Sequence, residues 1–360
     1  MIFNKNKKTI KTAVVRIAGD SGDGIQLIGS QFSNNLAFSG LNISTFPDFP
    51  AEIRAPIGTI SGISGFQVQF SSENIYTPGD KVDVLIAMNP AALKSNLKDL
   101  ELGSLLIINL DTFNSVNYKK ANYEFNPLES DYLNNFKLIK ININSILKDG
   151  LKDLTLGNKD IERSKNFFCL GILYWLYSIN IEKQKLWIKE KFKNDESLLK
   201  INMSSFLSGF NYAENNELFN EYYYVNKFDF EKGIYRSVTG NTAISLGILY
   251  LKKISGFNIF YSGYPITPAS DILHELSKYN SEFLTVFQAE DEISAICSCI
   301  GSSLTGNISF TGTSGPGMSL KTESINLAFI METPLVIIDI QRAGPSTGMP
   351  TKVEQSDVLF

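Results

Sequence analysis

The feature that most constrains this chain is a rhythm repeated along its length: a short apolar run, a turn rich in glycine or proline, then a segment of helical period. Thr12-Ala-Val-Val-Arg-Ile-Ala-Gly19 runs into a glycine turn and the helix-like segment Ile25 to Ser39. Two more strand-like runs, Val82 to Met88 and Ser104 to Leu110, bracket a helix-like stretch near 90–100. Further on, strands expected at about 257–262, 283–287, 307–312 and 334–340 alternate with helices at 240–253, 268–279, 290–304 and 317–331. Such alternation predicts parallel sheets with helices packed on their faces. The expected fold class is therefore α/β, with two parallel-sheet domains, residues 1–215 and 234–360. Residues 161–212 read as helices with Trp175 and Trp187 on packing faces, and 216–233, acidic and aromatic without a period, read as the linker.

Several function classes fall away on composition. The longest apolar runs, such as Pro334 to Asp339, end in charge well short of the roughly 18 residues of a membrane span. The basic N-terminus, Met1 to Lys11, has no small-residue cleavage site, so it does not read as a secretory signal and a cytoplasmic location is expected. The 33 basic and 37 acidic residues are interspersed, without the basic face of a nucleic-acid binder. Cys169, Cys297 and Cys299 form no C-x-x-C pair, which argues against a disulfide framework and against an iron–sulfur or zinc site in this chain. Cys297 and Cys299 read as buried structural thiols, and the single histidine, His274, reads as helix surface.

Open α/β sheets bind ligands beyond the carboxyl ends of their strands, so the turns carry the functional reading. Gly19-Asp-Ser-Gly-Asp-Gly24 lies between a strand and a helix, where Gly22 and Gly24 either make a plain tight turn or let backbone N–H groups approach a phosphate-bearing ligand such as coenzyme A. Its spacing departs from G-x-G-x-x-G, so a nicotinamide cofactor is not expected. In Tyr264-Pro-Ile-Thr-Pro-Ala-Ser270 two prolines fix the backbone around Thr267, whose hydroxyl could serve a carboxylate or keto oxygen; alternatively, Thr267 or Ser270 simply caps a helix. Glu290-Asp-Glu292 opens an apolar helix-like run, where acidic residues either complement the helix dipole or turn one carboxylate inward. Thr311-Gly-Thr-Ser-Gly-Pro-Gly317 is a further strand-end glycine loop. Arg342 follows the apolar strand Leu335 to Ile340 and opens another glycine- and proline-rich loop, where a carboxylate is its natural bidentate partner; Asp339 and Glu354 are the structural alternatives.

In order, Tyr-Pro-Ile-Thr-Pro, Glu-Asp-Glu, Thr-Ser-Gly-Pro-Gly and the run from Gln341 to Gln355 resemble the alpha subunit of 2-oxoacid:ferredoxin oxidoreductases, especially the 2-oxoglutarate type. The first half, from the Ser-Gly-Asp-Gly turn through Phe49-Pro-Ala-Glu-Ile-Arg54, is similar to the gamma domain of the same family. The resemblance implies a Rossmann-like gamma domain followed by a thiamine-diphosphate-binding fold of the pyrimidine type. It also implies the activity: a 2-oxoacid is decarboxylated on thiamine diphosphate, the acyl group passes to coenzyme A, and electrons leave through iron–sulfur clusters to ferredoxin.

Carried over by motif, Glu292 would meet the aminopyrimidine of thiamine diphosphate, and Thr267 and Arg342 the carboxylate and keto oxygen of the 2-oxoacid. Thr347 and Lys352 would face the distal end of the substrate. No Gly-Asp-Gly…Asn signature for magnesium and diphosphate is recognisable in the second half, so Mg2+ and the clusters are expected in a beta subunit. Thr242 stands where the family's Gly-Asn is usually followed by an acidic residue, which leaves Gly240-Asn-Thr without an assigned role. The family's alpha chains continue past the point matching Phe360, implying either a fragment or a shortened protein. Pyruvate or a branched-chain 2-oxoacid remains the alternative substrate, and a non-catalytic assembly or regulatory subunit the alternative role.

Overall fold

The computed structural model describes residues 6–50, 55–152, 158–216 and 218–342. It divides into two units, Met1–Ile234 and Tyr235–Phe360.

The first unit runs β1 (Asn6–Ile10), β2 (Thr12–Asp20), α1 (Ile25–Phe38), β3 (Asn42–Asp48), β4 (Ile63–Ser71), β5 (Val82–Ala87), α2 (Pro90–Asn96), β6 (Leu100–Asn109), α3 (Ser115–Lys120), β7 (Lys137–Ile141), α4 (Ile143–Gly150), α5 (Asn158–Arg163), α6 (Lys165–Leu176), α7 (Glu182–Lys191), α8 (Glu196–Asn215) and β8 (Glu221–Val225). Its main sheet has the order β3-β4-β2-β5-β6-β7. β2, β5, β6 and β7 are parallel, while β4 runs antiparallel to both β2 and β3. The class is α/β as expected, with a parallel-dominated rather than purely parallel sheet. α1, α6 and α8 supply one buried face around Phe32, Phe168, Tyr174, Trp175 and Phe206. α2 and Tyr123 lie with the other. Burial of both faces explains why β2 and β5 read as nearly continuous apolar runs. Trp175 is fully buried, and Trp187 stacks on Phe167.

Residues 216–233 were expected to link the domains, yet β8 within them pairs parallel with β1, from Asn6 opposite Glu221 to Ile10 opposite Val225. Tyr222 and Val225 of this strand are buried. Its aromatic residues therefore serve the first unit.

The second unit runs α9 (Gly240–Ser255), β9 (Ile259–Gly263), α10 (Ser270–Ser277), β10 (Leu284–Gln288), α11 (Glu292–Leu304), β11 (Ile308–Thr313), α12 (Gly315–Leu320), α13 (Thr322–Ile330) and β12 (Val336–Asp339). The sheet order is β10-β9-β11-β12, parallel throughout. The chain lays β10 on one side of β9 and then crosses to the other for β11. This reversal is the topological switch point, and in open α/β sheets ligands bind beyond the carboxyl ends of the strands at such a point, here β9 and β11. Of the two cysteines of α11, Cys299 is buried, and desolvation pushes its thiol up to about 12. Cys297 is exposed, correcting the expectation for it. Two positions apart on a helix, the two side chains cannot share a face. His274 lies exposed on α10. Among the described residues no helix is long and apolar enough to cross a membrane.

Candidate active site

Four strand-end segments meet around the switch point of the second unit, and each brings one of the sequence motifs. The turn after β9 presents Tyr264 buried and Thr267 exposed, with a cis peptide between Thr267 and Pro268. Ser270 does not cap α10 but folds back: its Oγ accepts from the Ile266 N–H at 2.8 Å and donates to the Ile266 carbonyl at 3.0 Å. The helix-cap alternative for Thr267 is not realised either, because Ala269 occupies the cap position. Asn241, at the start of α9, donates from Nδ2 to the Pro268 carbonyl at 3.2 Å. Gly240-Asn-Thr thereby acquires a role: Thr239 caps α9 by accepting from the Thr242 N–H, and Asn241 ties that helix to the turn.

After β10 comes the acidic turn. Asp291 does the ordinary helix-capping work, its Oδ1 accepting from the Ser294 N–H at 2.7 Å. Its neighbours are thereby left for other chemistry: Glu290 is exposed and Glu292 half-buried. At the end of β11, Thr313 Oγ1 lies 3.0 Å from Tyr264 Oη. Burial pushes the Tyr264 phenol up to about 12, with the Thr313 hydrogen bond pulling it down and Glu292 pushing it up. Tyr264 therefore stays protonated at neutral pH and sits within the field of Glu292. Gly317 makes this approach possible: a Cβ there would lie 1.8 Å from Tyr264 Oη and 2.4 Å from Thr313 Oγ1. Gly317→Ala is expected to lower stability by about 1–3 kcal/mol through overpacking, read as a reduced denaturant midpoint; an unchanged midpoint would show that the Tyr264 ring can move aside.

After β12, Arg342 donates from Nη1 to the Thr267 carbonyl at 3.3 Å. The two residues expected to hold a 2-oxoacid are thus neighbours despite 75 positions between them. Thr347, Lys352 and the alternative partner Glu354 lie outside the described residues.

Sequence reasoning missed Lys321. It joins α12 to α13, is fully buried, and donates to Thr311 Oγ1 at 2.9 Å and to the backbone carbonyl of Glu292 at 3.1 Å. Its Nζ also lies 5.4 Å from the centre of the Tyr264 ring. A lone lysine between helical segments carries no sequence signal of burial.

In the first unit, Gly24 adopts φ 69° at the start of α1, and a Cβ there would meet Asn166 Nδ2 at 2.3 Å. The tight-turn requirement accounts for Gly24, whereas the space above Gly22 is open. Asp20 accepts from the Gly58 N–H and from Asn89 Nδ2, each at 2.9 Å, and Asp23 pairs with Lys165 at 2.8 Å. Burial, with the neighbouring Asp23, raises the Asp20 carboxyl against the opposing pull of these hydrogen bonds and Lys165. A phosphate reaching Gly22 would have to do so beside two carboxyl side chains. Among the described residues, no three His, Cys, Asp or Glu side chains converge as a metal site would need.

The residue chemistry fits the pyrimidine end of thiamine diphosphate. Two glutamates not used for capping stand at the carboxyl end of β10, and a hydrogen-bonded aromatic and a guanidinium stand at the carboxyl ends of β9 and β12.

Residues 14–212 match the family described as pyruvate ferredoxin/flavodoxin oxidoreductase. Residues 255–360 match the thiamine diphosphate-binding family of pyruvate flavodoxin/ferredoxin oxidoreductase. The chain is 44% identical to the 2-oxoglutarate oxidoreductase subunit KorA of Mycobacterium tuberculosis over 98% of its own length and 54% of that protein. It is 29% identical to the 2-oxoacid:ferredoxin oxidoreductase subunit alpha of a Sulfolobus species, over 96% of this chain and 56% of the other. A solved 2-oxoglutarate:ferredoxin oxidoreductase from Magnetococcus marinus, with 2-oxoglutarate, coenzyme A and succinyl-CoA bound, superposes with a TM-score of 0.75 at 32% identity, covering 97% of this chain and 55% of that one. The chain thus spans about half the length of the relatives it matches. With both of its units accounted for, it belongs to the 2-oxoacid:ferredoxin oxidoreductase family, among the alpha-type subunits.

Proposed function

We propose that this chain takes part in the oxidative decarboxylation of 2-oxoglutarate, gripping the pyrimidine end of thiamine diphosphate and the 2-oxoacid while a beta-type subunit supplies Mg2+, the diphosphate contacts and the iron–sulfur path to ferredoxin. The observation that carries this reading is the meeting of Arg342 with Thr267 at the switch point, beside the acidic turn and the Tyr264–Thr313 pair. Bound there, thiamine diphosphate would supply the carbanion chemistry that lets carbon dioxide leave. The chain's own part is recognition, orientation and one proton contact. Arg342 would offer a fork for the substrate carboxylate, and the Thr267 hydroxyl would serve the carboxylate or keto oxygen. Glu292 would hold the aminopyrimidine through a charge-assisted hydrogen bond. Thr347 and Lys352 would face the distal carboxylate, on their place in the sequence after Arg342. The choice of 2-oxoglutarate follows the names of the mycobacterial relative and the solved homologue, the latter with this substrate bound.

For coenzyme A, the homologue's ligand, the open face of Gly22 is the approach to the Gly19–Gly24 turn, with Gly24 there to set the backbone. The test is reconstitution. The purified chain alone should be colourless and inactive, and adding a beta-type partner with thiamine diphosphate and Mg2+ should give 2-oxoglutarate-dependent, coenzyme A-dependent reduction of ferredoxin. Visible iron–sulfur absorption in the chain alone would overturn the division of labour, and a preference for pyruvate would overturn the substrate.

A further inference from the structure

Lys321 is fully buried. No carboxylate oxygen among the described residues lies within ion-pairing distance of it. A buried ammonium without such a partner is destabilising, and methionine of similar length would fill the same space without that penalty. What the ammonium holds explains its presence. Its bonds reach Thr311 on β11 and the carbonyl of Glu292, the first residue of α11, and the Tyr264 ring of the turn after β9 lies 5.4 Å away. One side chain thus connects three of the four strand-end segments of the site.

We propose that Lys321 is a positioning residue: its ammonium fixes the start of α11 against β11 and keeps a positive charge beside Glu292, so that the Glu292 carboxylate is correctly placed for thiamine diphosphate. The proposal rests on the functional reading above. Its neighbours from the packed elements are Asp291, which caps α11, Glu292, Cys297 and Cys299 of α11, and Tyr264 of the turn after β9. Desolvation lowers the Lys321 ammonium from 10.5 to about 8, opposed by Cys299, Glu292, Cys297 and Asp291 in that order. At neutral pH it is charged. Between about 8 and 10.5 the unfolded chain holds this proton more firmly than the folded one, so Lys321 makes stability rise with pH across that window.

The experiment compares wild type with Lys321→Met, each assembled with the beta-type partner. It measures melting temperature and, by calorimetry, thiamine diphosphate affinity in Mg2+ as functions of pH. The variant should melt no lower than wild type at neutral pH and should lack the wild-type gain between about 8 and 10.5. Its affinity for thiamine diphosphate should be about tenfold weaker, as for loss of a charged hydrogen-bonding partner. Wild-type affinity should fall as pH rises through about 8, while the weak affinity of the variant stays flat. A variant that fails to fold, or melts lower at neutral pH with unchanged affinity, would make Lys321 a structural residue and overturn the proposal. As a second probe, Thr311→Val keeps the shape of β11 and removes one anchor. It should weaken affinity in the same direction but less, and no effect on affinity in either variant would also overturn the proposal. Wild type that binds no thiamine diphosphate would instead sink the functional reading itself.

Discussion

Glu292→Gln should lower the turnover of the assembled enzyme on the order of 100-fold or more, the largest effect expected of any single substitution in this chain. The reason lies in how the acidic turn divides its labour. Asp291 is committed to capping α11, so its carboxylate is not free to serve a cofactor. Glu292 opens the helix, half-buried, with its carbonyl held by Lys321 and its charge felt by Tyr264. Glutamine keeps its volume and one acceptor but loses the charge, and with it about 1.5–3 kcal/mol of a charge-assisted hydrogen bond to the pyrimidine. Because the same contact would also carry a proton in the proposed reaction, the rate should suffer more than cofactor binding does. Glu290 is the internal control, since it is exposed on the same turn and two residues away. Stopped-flow decarboxylation at saturating cofactor decides: a severe Glu290→Gln beside a mild Glu292→Gln would transfer the assignment to Glu290.

How far such a site can be seen in advance depends on whether its signals are local. The strands of the second unit are short and closed by local turn signals, glycine or proline after β9, β11 and β12 and the acidic run after β10, so β9 to β12 fall within a few residues of their expected positions. The run 317–331 was expected as one helix and proves to be two short helices meeting at Lys321. Nothing local marks that junction, because the burial of Lys321 is created by Thr311 and Glu292 on other elements. The same limit applies to β8. Its pairing with β1 joins residues more than 200 positions apart, and tyrosines among glutamate and asparagine give no period until that partner is known. β3 and β4 went unread for another reason: β4 carries Gln67 in a buried position, satisfied by donating to the carbonyls of Pro78 and Gly79 and accepting from Arg16 Nε. A buried glutamine breaks the apolar pattern while leaving the strand intact. The motifs themselves were legible because a turn at the carboxyl end of a parallel strand is both a local sequence signal and the place where such a sheet binds its ligand.

Arg342→Lys should raise the Michaelis constant for the 2-oxoacid about 10-fold or more, with thiamine diphosphate affinity intact. Arg342 spends one Nη on the Thr267 carbonyl at 3.3 Å, which orients the guanidinium plane toward the turn that carries the other proposed substrate contact. Lysine retains the charge but not the planar fork, so it cannot hold Thr267 and chelate a carboxylate in one fixed geometry. The loss is then of ground-state binding, which appears in the Michaelis constant more than in the turnover number. A guanidinium that served only to pair with Asp339 and stiffen the end of β12 would give a different pattern: a lower melting temperature, with the Michaelis constant for the 2-oxoacid unchanged. Steady-state kinetics and a melting curve on the same preparation separate the two. Thr267→Val sharpens the comparison, since it removes the hydroxyl but leaves the carbonyl that Arg342 uses. If Arg342 and Thr267 serve one substrate, the combined variant should lose less than the sum of the single losses, because the second substitution removes a contact already weakened by the first. Additive losses together with a fall in stability would assign Arg342 to the scaffold.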